Sequence, residues 1–237
     1  MPTSTSYQHR RGQLLEYFDR TAAQAWARLT SDAPVSGIRA TVREGRRRMF
    51  EHVLSCLPND LRGLTILDAG CGTGTLAVEM AKRGAQVTAI DIAPTLVALA
   101  RDRYEGHVFE GGGRIDFKVG DLSDAGLGHF DYVVALDSLI HYRAPDMVKV
   151  LSDLAPRVRK GMCFTFAPLT PLLWMFWMSG RLFPQSNRAP AIEPVTEHRL
   201  KRLLTKDNKT TLFGVHQSLR VGHFFYTSHA LHMVREG

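Results

Sequence analysis

Cysteine is scarce in this chain of 237 residues. The three present, Cys56, Cys71 and Cys163, form no CxxC pair and leave one over in any disulfide scheme. A disulfide scaffold and a structural zinc are therefore not expected, and a reducing, cytoplasmic setting is. Acid is the scarcer charge: 23 Asp and Glu against 30 Lys and Arg leave a net +7. Such a surface attracts nucleic acid, anionic lipid or a polyanionic substrate, unless its cations are merely scattered and solvated. Internal repeats and low-complexity tracts are absent, and the polar, mixed first thirty residues carry no signal-peptide pattern. One uncharged run, Gly161–Met178, approaches the length of a membrane span. Pro168 and Pro171 interrupt it and its first part reads as a core strand, which rejects a transmembrane helix and leaves a membrane-surface contact open.

What is there is ordinary globular composition, 44 % hydrophobic and 22 % charged, enough for one α/β domain with a full core. Residues 1–9 read as a frayed polar tail. Apolar residues at helical spacing from Arg10 to Leu29 (Leu14, Leu15, Phe18, Ala22, Ala25, Trp26) predict an amphipathic helix or helix pair. A second helix is expected over Ile38–Leu57, bearing the basic cluster Arg43, Arg46, Arg47 and Arg48. That cluster is either a solvated helix face or a contact for anions or a membrane.

From Leu64 onward strands and helices alternate. Strands are expected at Leu64–Asp68, Gln86–Asp91, Arg114–Val119, Phe130–Asp137 and Gly161–Ala167, with helices from Leu76 to Arg83, Pro94 to Tyr104 and Asp146 to Arg159. A last helix, Thr196–Leu204, precedes two closing strands, Thr211–His216 and Val221–Val234. The alternation predicts a doubly wound, mostly parallel sheet. Residues 1–57 form an N-terminal helical cap on a core of 58–237, one domain with an aromatic, proline-rich insertion at 168–195.

The stretch Leu64–Gly74, LTILDAGCGTG, organises this core. It also lacks something: the dinucleotide fingerprint G-x-G-x-x-G needs a glycine where Thr75 stands. The pattern D-x-G-x-G-x-G (Asp68, Gly70, Gly72, Gly74) instead resembles the S-adenosylmethionine (SAM) loop of class I methyltransferases, whose wide turn lets backbone N–H groups face a charged amino-acid tail. That resemblance implies seven strands with an antiparallel final hairpin.

In open α/β sheets ligands bind beyond the carboxyl ends of the strands, so the residues there are the candidates for holding SAM. By resemblance Asp68 supports the loop and the methionine amine. Gly70 and Gly72, with Cys71 between them, remove side chains where the cofactor backs onto the chain. Asp91 can accept both ribose hydroxyls, Ile92 packs on adenine, Asp121-Leu122 resembles a motif whose Asp accepts the adenine amino group, and Leu136 borders the sulfonium. Three acids at three strand ends make SAM the expected co-substrate, and methyl transfer the expected chemistry.

The acceptor must be read elsewhere. The (Asp/Asn)-Pro-Pro-(Tyr/Phe) run of DNA amino-methyltransferases is missing after the fourth strand, where the chain reads Leu136-Asp137-Ser138-Leu139-Ile140-His141-Tyr142. His141, just past a strand end, is the candidate catalytic residue; its plain alternative is a loop-bracing histidine. LDSLIHY, FTFAPLTPLLWMFWMSGRLFPQSNR, HFFYTS and the N-terminal YFD…W pattern (Tyr17, Phe18, Asp19, Trp26) resemble the magnesium-protoporphyrin IX O-methyltransferase family of chlorophyll and bacteriochlorophyll synthesis. The resemblance implies esterification of one propionate of the magnesium porphyrin, with magnesium entering only as part of that substrate. It also implies contact with the large subunit of magnesium chelatase and a peripheral place at the photosynthetic membrane; nucleic acid is not an expected partner.

Tyr142, Trp174, Trp177 and Phe183 suit a flat apolar disc, and Arg188, with Arg181, its carboxylates; core packing is the alternative for each aromatic. Tyr17 is a candidate for closing the cofactor site. Family members often carry Tyr after W-x-x-(Ile/Leu), but here Trp26-Ala27-Arg28-Leu29 is followed by Thr30. Rival readings are a quinone O-methyltransferase, a SAM-dependent tetrapyrrole carrier and, on charge alone, an RNA methyltransferase.

Overall fold

The structure, a computed structural model, describes residues 5–21, 37–169, 192–223 and 226–236. Five strands run parallel: β1 (Thr65–Ala69), β2 (Gln86–Asp91), β3 (Arg114–Val119), β4 (Phe130–Ala135) and β5 (Val158–Phe166). A hairpin of β6 (Phe213–His223) and β7 (Tyr226–Arg235) completes the sheet, with β7 antiparallel to β5. The strand order β3-β2-β1-β4-β5-β7-β6 is the doubly wound, seven-stranded arrangement expected from the resemblance.

Apolar side chains on both faces of the central strands explain the two-layer burial. On one face α2 (Ile38–Ser55), α3 (Thr75–Lys82) and α4 (Pro94–Tyr104) contribute Met49, Val53, Met80 and Val97 to one core cluster. On the other, α1 (Thr5–Glu16), α5 (Ala144–Leu154) and α6 (Glu197–Leu204) contribute Leu14, Met147, Leu151 and Leu200. Local chemistry sets the boundaries. Gly74 opens α3 in the left-handed conformation, φ 81°, Pro94 opens α4, and the Thr196 hydroxyl accepts the Arg199 N–H to cap α6.

Several expectations need correction. The tail read as frayed is helical from Thr5, because the Tyr7 ring is buried against Tyr142 at 4.9 Å and the Ser6 hydroxyl donates to Asp146. Strand β4 stops at Ala135, two residues early, since Asp137 turns the chain with φ 53°. Helix α5 ends at Leu154, before Pro156, and the chain already enters β5 at Val158. The first closing strand is longer than predicted, β6 running on to His223, and the second starts later, at Tyr226 instead of Val221.

The predicted insertion leaves and returns at the carboxyl end of β5. The Val195 N–H donates to the Ala167 carbonyl at 2.9 Å and the Leu169 N–H to the Val195 carbonyl at 3.0 Å. Trp174, Trp177, Phe183 and Arg188, together with Trp26 and Thr30, lie outside the described residues. No helix among the described residues is long and apolar enough to cross a membrane.

Candidate active site

Beyond the carboxyl ends of β1 to β4 the chain encloses a cavity of about 590 Å³, counted out to its open mouth. Its floor and walls come from every strand end: Gly70 and Gly72 after β1, Asp91 and Ile92 at β2, Gly120 and Leu122 after β3, and Leu136 to Ser138 after β4. His141 and Tyr142 close one side, and Leu14 and Phe18 of the N-terminal arm cover it.

The glycine loop is tied to β2. The Gly70 and Cys71 N–H groups both donate to the Ile90 carbonyl, at 2.8 and 3.0 Å, and the Gly72 N–H donates to Asp91 Oδ2 at 2.8 Å. The loop therefore spends these donors internally, against the expectation that they face a ligand, and offers the cavity a wall without side chains. Gly70, at φ 86°, lies so close to the next strand end that a Cβ would overlap that of Ser138. Cys71 sits in the loop as predicted, but its thiol packs in the α2–α4 core cluster rather than on the cavity wall, and burial raises its pKa.

Two carboxylates underlie this wall. Asp91 accepts from the Gly72 N–H and, through Oδ1, from the Ala93 N–H at 2.9 Å, while burial pushes its pKa up. Asp68, 1 % exposed, accepts from the Ala77 N–H but leaves Oδ2 with no hydrogen-bond partner. Burial first, and the charge of Asp91 second, lift its carboxyl to about 7. A buried carboxylate with one unsatisfied oxygen beside a second acid is a site built for a cation.

The N-terminal arm is held down through one acid of the core, Asp121, and one of its own, Asp19. Asp121 accepts from the Tyr7 hydroxyl at 2.8 Å, pairs with Arg11 at 2.9 Å and accepts from the Ser123 N–H and hydroxyl. Asp19 accepts from the Thr95 N–H at 3.0 Å, an acid at the start of α4 where the helix dipole favours it. Asp121 thus secures the arm and is not on the cavity wall, where its neighbours Gly120 and Leu122 are. Of the adjacent aromatics it is Phe18 that faces the cavity, edge-on to the His141 ring at 5.8 Å, whereas Tyr17 packs on Phe18 and does not line it.

The turn after β4 carries His141 on a 3₁₀ turn, Leu139–His141. The Ser138 hydroxyl donates to the Ala69 carbonyl at 2.7 Å, which fastens this turn to the glycine loop. Tyr142 stacks on Tyr7, and burial raises its pKa.

Comparison with known proteins extends this geometry to both halves of the chain. Residues 135–235 match the family model described as magnesium-protoporphyrin IX methyltransferase C-terminus, and residues 66–161 match a methyltransferase domain. A magnesium-protoporphyrin O-methyltransferase of Rhodobacter capsulatus is 50 % identical over 199 residues, 84 % of this chain and 88 % of the relative. The chain belongs to the magnesium-protoporphyrin O-methyltransferase family.

A crystal structure of the family from Synechocystis PCC 6803, with bound SAH, superposes with a TM-score of 0.83 at 28 % identity, covering 96 % of this chain and 100 % of that one. Outside the family, a ubiquinone biosynthesis O-methyltransferase of Xanthomonas euvesicatoria pv. vesicatoria is 39 % identical over only 43 % of this chain and 41 % of its own.

The residues present fit SAM. The unsatisfied Asp68 oxygen suits its amine, the bare Gly70 and Gly72 its close approach, Asp91 its ribose, and Ile92, Leu122 and Leu136 its apolar parts. In this family member, sequence reasoning found eight of the residues now gathered in or beneath the cavity: Asp68, Gly70, Gly72, Asp91, Ile92, Leu122, Leu136 and His141. Tyr142 joins them from the set predicted for the substrate. It missed Leu14 and Phe18 as walls, although both belong to the apolar stripe that predicted the arm helix, and it missed Tyr7, a single aromatic in a polar stretch.

Proposed function

We propose that the chain methylates one propionate carboxylate of magnesium protoporphyrin IX to the monomethyl ester, with SAM as donor. When bound, SAM supplies an activated methyl group on its sulfonium. A propionate resembles the Glu side chain, with a pKa of about 4.3, so it arrives ionised and needs no strong base. The residues therefore have to position more than activate. His141, on the cavity wall beside Leu136, orients the carboxylate or removes its last proton.

The observation that carries this reading is the extent of the similarity. The 50 % identity to the Rhodobacter capsulatus enzyme spans most of both chains, whereas the quinone enzyme matches less than half. An assay with SAM and magnesium protoporphyrin, with mass detection of the ester, tests it; product from a demethylated quinone and none from the porphyrin would reverse it.

The reading extends to partners. The net charge of +7 and the family membership support delivery of the porphyrin by the large subunit of magnesium chelatase, and a cytoplasmic enzyme lying at the photosynthetic membrane. Of the basic cluster on α2, Arg46 turns inward to Asp137, and Arg47 and Arg48 bond to Glu44. That pairing favours the uncharged Trp174–Met178 run as the membrane contact. Flotation with anionic liposomes that persists at high salt would support that run; loss at high salt would return the contact to the basic face.

A further inference from the structure

Asp137 is the only residue other than glycine with a positive φ among the described residues, at 53°. Such a conformation is strained, least for Asp and Asn, and persists only where the surroundings fix it. Here they fix it from three elements. The Asp137 carboxylate, 3 % exposed, pairs with Arg46 of α2 at 3.0 Å. It accepts from the hydroxyls of Tyr226 (3.0 Å) and Ser228 (3.1 Å) of β7 and of Thr165 (3.2 Å) of β5. Its own N–H donates to Thr165 Oγ1 at 2.7 Å. Even the helix is shaped for this contact, because Gly45 sits where a Cβ would overlap the Tyr226 ring. A glycine inside a helix destabilises it, so the close approach to Tyr226 is kept at a cost.

What this network holds is the start of the turn that carries His141. One residue on, Ser138 is bonded to the Ala69 carbonyl and packed on Gly70, and the Leu139–His141 turn follows at once. With Ser138 fixed on one side and Asp137 on the other, the direction of the turn is set by where the Asp137 carboxylate is held.

We propose that Asp137 is a positioning residue of the methyl-transfer site, locked by Arg46 and Tyr226 so that His141 is aimed across the cavity. The proposal rests on the methyltransferase reading for its kinetics but not for its geometry. The lock is built from the far face of the sheet: Arg46, which does not line the cavity, pairs with Asp137, which does.

The test uses the full chain with Tyr226→Phe, which keeps the ring, and Arg46→Gln, with Arg62→Gln on the surface as control. Turnover of magnesium protoporphyrin should fall roughly ten- to a hundredfold in both variants, the range expected of a misplaced reacting group, while SAH affinity stays within about twofold. Arg46→Lys, which restores the charge, should recover part of the loss. In parallel, the His141 imidazole signal in carbon–proton NMR, assigned with His141→Gln, should shift in the two lock variants and not in the control. Turnover and SAH affinity that fall together with the melting temperature would make the network merely structural and overturn the proposal. Unchanged turnover with an unmoved His141 signal would do the same. The imidazole signal needs no turnover, so an enzyme inactive on the porphyrin would refute the functional reading alone.

Discussion

Asp68 and Asp91 end neighbouring parallel strands, and burial together with the charge of Asp91 lifts the Asp68 carboxyl to about 7. A cationic amine is stabilised only by the ionised form, which becomes the minority below that pH. SAH, which carries the same amine as SAM, should therefore bind about tenfold more weakly at pH 6 than at pH 8. Titration calorimetry across this range would check it, and Asp68→Asn should bind weakly with no slope. A slope unchanged in Asp68→Asn would assign the proton elsewhere.

The same carboxyl predicts a trade between stability and binding. Its folded pKa is raised above the ordinary value of 3.8, so between about pH 4 and 7 the folded protein holds the proton that the unfolded chain has lost. This group's contribution to stability is complete below pH 4 and declines as pH rises through 7. Asp68→Asn, without added SAM, should accordingly be more stable than the wild type at pH 8, by of the order of a few kcal/mol, and lose that advantage near pH 4. Urea denaturation at both pH values gives the difference. A variant less stable than the wild type at pH 8 would mean that the carboxylate is already paired.

Gly70→Ala joins two penalties, the φ of 86° and the overlap with the Ser138 Cβ. The expected loss is about 2–4 kcal/mol, read as a lowered melting temperature. Ser138→Gly in the same chain should return part of it, because it removes the overlap but not the strained φ. No recovery in the double variant would place the whole cost in the backbone.

The parallel core was legible because its strands are bounded by residues with one physical role each. Gln86 to Asp91, Pro94 to Tyr104 and Arg114 to Val119 match the observed β2, α4 and β3. Acids at strand ends also located the cavity, but not what each acid does. Asp91 faces the cavity while Asp121 is taken up by Tyr7 and Arg11, which lie more than a hundred residues earlier in the chain. No local pattern encodes such pairings. The basic cluster stayed ambiguous for the same reason: Arg46 finds Asp137 only once α2 lies against β7, and periodicity cannot tell an inward arginine from its exposed neighbours Arg47 and Arg48.

Tyr7 tests how the arm is held over the site. Its ring stacks on Tyr142 at 4.9 Å and its hydroxyl donates to Asp121 at 2.8 Å. Tyr7→Phe keeps the first contact and removes the second, and Asp121 retains Arg11 and Ser123, so no buried charge is stranded. The cost should be that of one hydrogen bond to a charged group, about 1–2 kcal/mol. Because Leu14 and Phe18 of the same arm cover the cavity, the loss should appear locally. Amide exchange across residues 5–21 is expected to quicken about five- to thirtyfold, with the sheet unaffected. SAH affinity should weaken in step, since an arm that opens more often covers its ligand less of the time. Faster exchange with tighter SAH binding would instead mean that Asp121, released from Tyr7, accepts the adenine amino group as its place after β3 first suggested.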